Sequence, residues 1–390
     1  MVHLLTIGLD YLMLQGSKVR GDVRLRQFDY AKSLASLDSI VYSPRGLNLT
    51  DSQWAENFRL YPTQSRSKAV FMFDAYKIAV KICREKQIDV ISAEDPFITG
   101  LVGYFLKRKF DIPLNVQAHI DFVDNPYWMS LRPINRLFNS LGKFICKKAD
   151  TIRVVASETQ ESLEKCGVAA DKISLISVHS DLSHFQALDG SEIRAKYKKE
   201  GFEQILLFVG RLVHQKDIPN LFGAFKYVLK EKPKTVLLLA GEGPLKTEME
   251  LFSEKEGIAK NVRFVGSVDH AEIQKYYSAC DIFVLPSIFE GRATVIVEAI
   301  LSKKPIVSTD VSGLREWLVN GETGFVVPRK DPKALADKVV FLLNNPDKIV
   351  SFGRKGYEVA QKNLKVIGDI SSMIALWEKT AVQGRKTHGA

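Results

Sequence analysis

Short apolar runs alternate with longer amphipathic runs along the whole chain. That rhythm restricts the fold more than any other feature. An apolar run of about four to eight residues suits a strand buried on both faces, and a longer run of helical period suits a covering helix. In the first half the runs predict strands at Val2–Gly8, Ser39–Ser43, Val90–Ala93, Leu114–Ala118 and Thr151–Val155, with helices at Val23–Leu37, Ser67–Lys86, Thr99–Lys109 and Pro133–Lys148. In the second half they predict strands at Ile205–Val209, Val236–Ala240, Val262–Val265, Ile282–Leu285, Ile306–Ser308 and Gly324–Val327, again separated by helices. Strands joined through helices form parallel sheets with right-handed crossovers.

The expected class is therefore α/β, with two Rossmann-like doubly wound domains facing across a cleft. The first spans 1–180 and the second 205–365. The polar, less regular stretch 181–204 links them. A last helix over 366–382, with Ile370, Met373, Ile374 and Trp377 on one face, is expected to return to the first domain, and the tail from Gln383 to be disordered.

Composition removes several classes. With 390 residues the chain is long enough for two ordinary domains, and 46% hydrophobic with 26% charged residues suits a globular protein. No apolar run reaches the roughly 20 residues that span a bilayer. The start lacks the basic segment of a signal peptide and reads as a first strand, which predicts a cytoplasmic protein. Cys83, Cys146, Cys166 and Cys280 are scattered without a CxxC pair, so neither zinc nor a disulfide framework is expected. The net charge of +10 is interspersed through both halves, and no RNP-like, helix-turn-helix or zinc pattern turns it into a nucleic-acid reader.

The chemistry gathers at strand ends. After the strand ending in Leu285 come Glu290, Gly291, Arg292, Ala293, Thr294, Val295 and, eight positions beyond Glu290, Glu298. Thr294 can cap the following helix, whose N-terminus suits phosphate, and the two carboxylates suit sugar or ribose hydroxyls. After the strand ending in Val209, Gly210 allows a turn, and Arg211 and Lys216 stand within reach of a diphosphate or, alternatively, on a solvated loop. Gly241-Glu242-Gly243-Pro244 is a glycine turn after a strand, but no GxxxxGK[ST] loop occurs. His119, at the end of a first-half strand, reads either as a sugar ligand or as a structural histidine.

Taken in order, these stretches resemble the retaining glycosyltransferases of family 4, of the GT-B fold. Glu290 and Glu298 match the family's E-x7-E pattern. Gly210, Arg211, Leu212 and Lys216 match its G-R-L-x-x-x-K-G segment, with Asp217 in place of the last glycine, and Ala240 to Pro244 match A-G-x-G-P. His119-Ile120-Asp121 matches the catalytic-domain histidine, and Glu94-Asp95-Pro96 an acceptor-side loop. The resemblance implies that Arg211 and Lys216 hold the donor diphosphate, Glu298 the ribose, and Glu290 and His119 the transferred sugar. The backbone around Arg292 to Val295, with Gly210 and Gly241, lines the donor, and Val265 lies near the base. Glu94, Asp95 and Asp121 fall on the acceptor side. There the chain departs from its family, with Gly21-Asp22 where paired glycines are usual.

By that resemblance the donor is a nucleotide sugar, most often of uridine, the acceptor a glycan or a lipid-linked glycan, and no metal or other cofactor is expected. A nucleotide-sugar epimerase on the same scaffold and a donor-binding scaffold subunit are the competing readings. Between Asp124 and Asp150 the chain carries Arg132, Arg136, Lys143, Lys147 and Lys148 and no acid. Ile134, Leu137, Phe138, Leu141 and Ile145 repeat at helical spacing, which predicts a helix packing these residues in the core. Its basic side is then either solvated or set on anionic lipid.

Overall fold

The computed structural model describes residues 1–10, 14, 23–176, 188–291, 294–366 and 370–386. The chain divides into two compact units, Met1–Ser180 with Ile367–Ala390, and Asp181–Val366.

The first unit contains β1 (His3–Gly8), α1 (Val23–Lys32), β2 (Ser36–Val41), β3 (Ser52–Ala55), β4 (Phe58–Pro62), α2 (Lys68–Glu85), β5 (Val90–Ala93), α3 (Ile98–Phe110), β6 (Leu114–Ala118), α4 (Pro126–Leu131), α5 (Ile134–Lys148), β7 (Thr151–Val154), α6 (Ser157–Lys165) and β8 (Ile173–Leu175). The second contains α7 (Ser191–Lys199), β9 (Gln204–Val209), α8 (Ile218–Glu231), β10 (Thr235–Ala240), α9 (Lys246–Lys255), β11 (Val262–Gly266), α10 (His270–Ala279), β12 (Ile282–Leu285), α11 (Thr294–Leu301), β13 (Ile306–Thr309), β14 (Gly324–Val327), α12 (Pro332–Asn344) and α13 (Pro346–Val366). The last helix, α14 (Ile370–Lys386), belongs to the first unit.

The first sheet runs β3-β4-β2-β1-β5-β6-β7-β8 and the second β11-β10-β9-β12-β13-β14. Among the described residues every strand pairing is parallel except that of β3 with β4. Strands such as Val236–Leu239 and Ile282–Leu285 are fully buried, as a sheet covered on both faces requires.

Several expected elements differ from the structure. The helix from Val23 stops at Lys32 rather than Leu37, because Leu37 pairs with Leu4 in β2. The three-residue spacing of Leu34 and Leu37 imitates a helical period, and both are buried, but Leu34 lies in the bend after α1 and Leu37 in β2. The β3–β4 hairpin escapes the sequence reading because polar residues dilute its alternation; Phe58 and Leu60 carry it inward, with Trp54 against Phe58. Within the polar stretch, Ser191–Lys199 is helical although it buries only Tyr197. Gln383 to Lys386 are helical too, and residues 387–390 lie outside the described ones.

Helix α14 closes the first core. Met373 and Trp377 are buried, Tyr30 meets the Trp377 ring edge-on at 5.0 Å, and Thr380 Oγ1 lies 2.7 Å from Thr151 Oγ1. A side chain at position 384 would strike Pro113, so Gly384 lets the helix lie close.

Candidate active site

In the second unit the strand order reverses between β9 and β12. Loops leaving two such strands part in opposite directions, and the crevice at their carboxyl ends is where open α/β sheets bind ligands. Here the two loops are tied together. Ile288 N donates to Gln215 O at 2.9 Å, and Gln215 Nε2 to Phe289 O at 2.6 Å. From β13, Thr309 Oγ1 donates to Ser287 O at 2.5 Å.

On this frame Lys216 Nζ sits 2.5 Å from Glu290 Oε1. Their side chains are only 13% and 6% exposed, so the pair is largely removed from water. A buried ion pair costs desolvation that a partner must offset, and removing either partner leaves an uncompensated charge. The two residues, read from the sequence as separate ligands of phosphate and sugar, are thus joined to each other. Arg211, on the same loop as Lys216, is exposed.

Asp217 has φ 46° and ψ 50°, the left-handed conformation that favours glycine. The aspartate therefore keeps the backbone shape of the glycine it replaces, and burial raises its carboxyl pKa. The glycine turn after β10 owes its composition to packing. A Cβ on Gly241 would lie 1.9 Å from Gly210 O, and one on Gly243 2.3 Å from Leu212 O. Val265 is half-buried near the end of the edge strand β11, beside Gly266, whose carbonyl accepts from Gly241 N at 2.7 Å.

Gly291 follows Glu290 in a bend, and Arg292 and Ala293 lie outside the described residues. Thr294 and Val295 are the first described residues of α11. Glu298 is buried in that helix, and Tyr277 of α10 donates its hydroxyl to Glu298 Oε2 at 2.8 Å and to Val295 O at 3.3 Å. Burial, then the Glu298 carboxylate, raises the Tyr277 pKa well above its ordinary value, so the phenol stays protonated and donates.

In the first unit the strand order reverses between β1 and β5. Glu94 follows β5, and His119 follows β6 beside it. His119 Nε2 lies 3.4 Å from Glu94 Oε2, and Gln117 Nε2 donates to Glu94 Oε1 at 3.2 Å. Gln117 also accepts from Arg153 Nη1 at 2.7 Å and donates to Ser92 Oγ at 3.1 Å, and Ser92 Oγ accepts from Trp377 Nε1 at 3.3 Å. Arg153 is buried, with Nε donating to Ile176 O. Burial opposes charge on Glu94, but the His119 contact together with the Arg26 and Arg153 cations outweighs it and lowers the carboxyl pKa. Burial lowers the His119 pKa despite the Glu94 hydrogen bond, which leaves the ring neutral at neutral pH. Gly8, closing β1, leaves room for Glu94: a Cβ there would lie 3.3 Å from Glu94 Cγ.

Asp95 Oδ1 accepts from Phe97 N at 2.7 Å and Thr99 N at 3.3 Å, which commits it to the first turn of α3. Asp121 Oδ2 accepts from Asn125 Nδ2 at 3.3 Å. Gly21 and Asp22 lie outside the described residues.

The profile of Glycosyl transferases group 1 matches residues 189–359, and that of Glycosyltransferase Family 4 matches 28–183. The chain belongs to glycosyltransferase family 4. It is 25% identical to an uncharacterised glycosyltransferase of Methanocaldococcus jannaschii over 82% of this chain and 80% of that one. It is 25% identical to the alpha-monoglucosyldiacylglycerol synthase of Streptococcus pneumoniae over 61% of this chain, although the match spans only 55% of that relative. Its fold is GT-B: sucrose-phosphate synthase from Thermosynechococcus elongatus superposes with a TM-score of 0.76, 22% identity and coverage of 99% and 98% of the two chains. HepE of Anabaena, solved with UDP-glucose, superposes at 0.73 with 18% identity and 98% coverage of both.

For this family 4 protein, sequence reasoning missed three residues that hold the candidate ligands in place. Tyr277 orients Glu298, while Gln117 and Arg153 support Glu94. Tyr277, just before a predicted strand, carried no pattern of its own; Gln117 and Arg153, polar residues inside apolar strands, were a legible signal, since buried polar groups must be partnered. Among the described residues, no group of three or more His, Cys, Asp or Glu could hold a metal ion.

Proposed function

We propose that the protein is a retaining, metal-independent glycosyltransferase that moves a sugar from a nucleoside diphosphate sugar, with uridine as the base, to a glycan or lipid-linked acceptor. The observation that carries this reading is the Lys216–Glu290 pair at the reversal of strand order in the second unit, with Glu298 fixed nearby in α11. In this reading Arg211 and Lys216 meet the charge that grows on the departing diphosphate. Glu290, tethered by Lys216, meets the sugar, and Glu298 the ribose. Neutral His119 accepts or donates one hydrogen bond to the sugar, and its Glu94 partner sets the ring's orientation. HepE's UDP-glucose complex supports a uridine donor, and the lipid named in the S. pneumoniae relative supports a lipid-linked acceptor. We place the work at the cytoplasmic face of a membrane, in polysaccharide or glycolipid synthesis.

Thermal unfolding against a panel of nucleotide sugars, followed by hydrolysis assays in EDTA, tests the reading. A UDP-sugar is expected to raise the midpoint and to be turned over with the chelator present. Stabilisation by no nucleotide sugar would favour a scaffold role, and turnover restored only by added metal would end the metal-independent mechanism.

Tyr277→Phe removes one hydrogen bond from a buried carboxylate and nothing from the reacting centre. Because hydrogen bonds to charged groups contribute about 1.5–3 kcal/mol, KM for the donor should rise about tenfold or more with kcat little changed. A fall in kcat at constant KM would show that Tyr277 acts in the chemical step instead.

A further inference from the structure

Helix α5 turns its apolar stripe outward. Its buried residues are Asn135, Asn139, Gly142, Ile145 and Cys146. Of the residues expected in the core, only Ile145 is fully buried, while Leu137 is 62% and Ile134 45% exposed. The inversion has a local cause. Asn135 Nδ2 donates to Trp128 O at 2.7 Å, Asn139 Oδ1 accepts from Asp124 N at 3.0 Å, and a Cβ on Gly142 would lie 2.5 Å from the Phe122 ring. The asparagines hold the preceding loop and the glycine admits Phe122, so the other side of the helix must face out.

That outer side is ordered. Ile134, Leu137, Leu141 and Phe144 fall at helical spacing along one strip, and Arg136 and Lys147, both exposed, flank it. Tyr104 of α3 packs against Phe144 at 5.3 Å and Phe105 at 5.9 Å, carrying the apolar surface across to the next helix. Helices α3, α4 and α5 contain no Asp or Glu, yet α3 ends in Lys107, Arg108 and Lys109 and α5 in Lys147 and Lys148. Lys107 and Lys143 are paired with Asp150 and Asp124, while Arg108, Arg136, Lys147 and Lys148 are exposed. An apolar surface on helices that carry cations and no acid is costly in water and complementary to one environment, the boundary between acyl chains and anionic headgroups. Among the described residues no helix is long and apolar enough to cross a membrane.

We propose that this face of the first unit docks on an anionic lipid bilayer, with the Leu137–Phe144 strip entering the interface and Arg108, Arg136, Lys147 and Lys148 meeting headgroups. The proposal deepens the membrane-side reading above and rests on it for the acceptor. Its physical basis is separate from sugar transfer.

Co-sedimentation of the full chain with phosphatidylcholine vesicles, with and without phosphatidylglycerol, is the test. Binding is expected only where phosphatidylglycerol is present, and to fall as salt is raised. Arg136→Gln should weaken it about fivefold, the effect of one surface cation, and Leu137→Ser about tenfold or more. Val350→Ser, at a 72% exposed position of the second unit, should leave it unchanged. Leu137, 62% exposed, is too exposed for Leu137→Ser to be expected to unfold the chain, and circular dichroism of the variant is the check. Wild-type binding by Leu137→Ser, or no preference for phosphatidylglycerol, overturns the proposal. So does a dimer in light scattering that Leu137→Ser dissociates without any vesicle binding, since the occupant is then a second copy. Donor-induced thermal shifts of the same variants keep the two readings apart: they should match wild type whether or not vesicles bind.

Discussion

Lys216→Ala is expected to lower transfer by about a hundredfold or more and to destabilise the second unit by about 3–5 kcal/mol. The two losses have separate causes. The stability loss arises because Glu290, 6% exposed, would keep its charge without the ammonium 2.5 Å away. The activity loss arises because a cation positioned in advance is removed from where diphosphate charge develops. A paired substitution separates them. Lys216→Met with Glu290→Gln removes both charges at similar volume, so it should recover most of the stability and none of the transfer. Urea unfolding of the single and double variants, alongside turnover of the donor, reads both quantities. A wild-type unfolding midpoint and near-normal turnover in Lys216→Ala would remove the pair from both roles.

Gly241→Ala should destabilise the protein by about 2–6 kcal/mol, the sum of about 1–3 kcal/mol for overpacking and about 1–3 kcal/mol for backbone strain. Its φ is +150°, and the added Cβ would lie 1.9 Å from Gly210 O and 2.8 Å from Gly210 C, atoms of another backbone that no rotamer change can move. The loops after β9 and β10 would have to separate, and the first of them carries Arg211 and Lys216. Donor binding should therefore weaken even in molecules that fold. Gly201→Ala is the control. Its φ is +93° with nothing within 4 Å of the new Cβ, so it carries the conformational cost of about 1–2 kcal/mol alone. Equal unfolding midpoints for the two variants would show that the close approach at Gly241 is not what matters.

Legibility followed burial. The strands Val90–Ala93, Leu114–Ala118 and Ile282–Leu285 have the bounds that their apolar runs predict, because a strand covered on both faces has no solvent side to break the run. The helix at Ser191–Lys199 was missed because it exposes most of its residues, and the hairpin at Ser52–Pro62 because its first strand is half-buried and polar, so that each leaves the period weak. Helix α5 misled for the opposite reason. Its period is strong, but its apolar strip faces out, and periodicity reports that two faces differ without saying which one is covered.

By itself the sequence determined the α/β class, the family, and the strand ends at which Arg211, Lys216, Glu290, Glu298, Glu94 and His119 stand. Periods and spacings of a few residues suffice for that, since they act within one strand and its following loop. Only the tertiary structure decided who touches whom. Lys216 and Glu290 are 74 positions apart and meet because β9 and β12 are neighbours in the sheet. Tyr277 reaches Glu298 from another helix. Trp377, 285 positions from Ser92, joins the polar chain that supports Glu94. Such partners are chosen by sheet order and helix docking, which depend on the whole buried surface and leave no mark in local spacing.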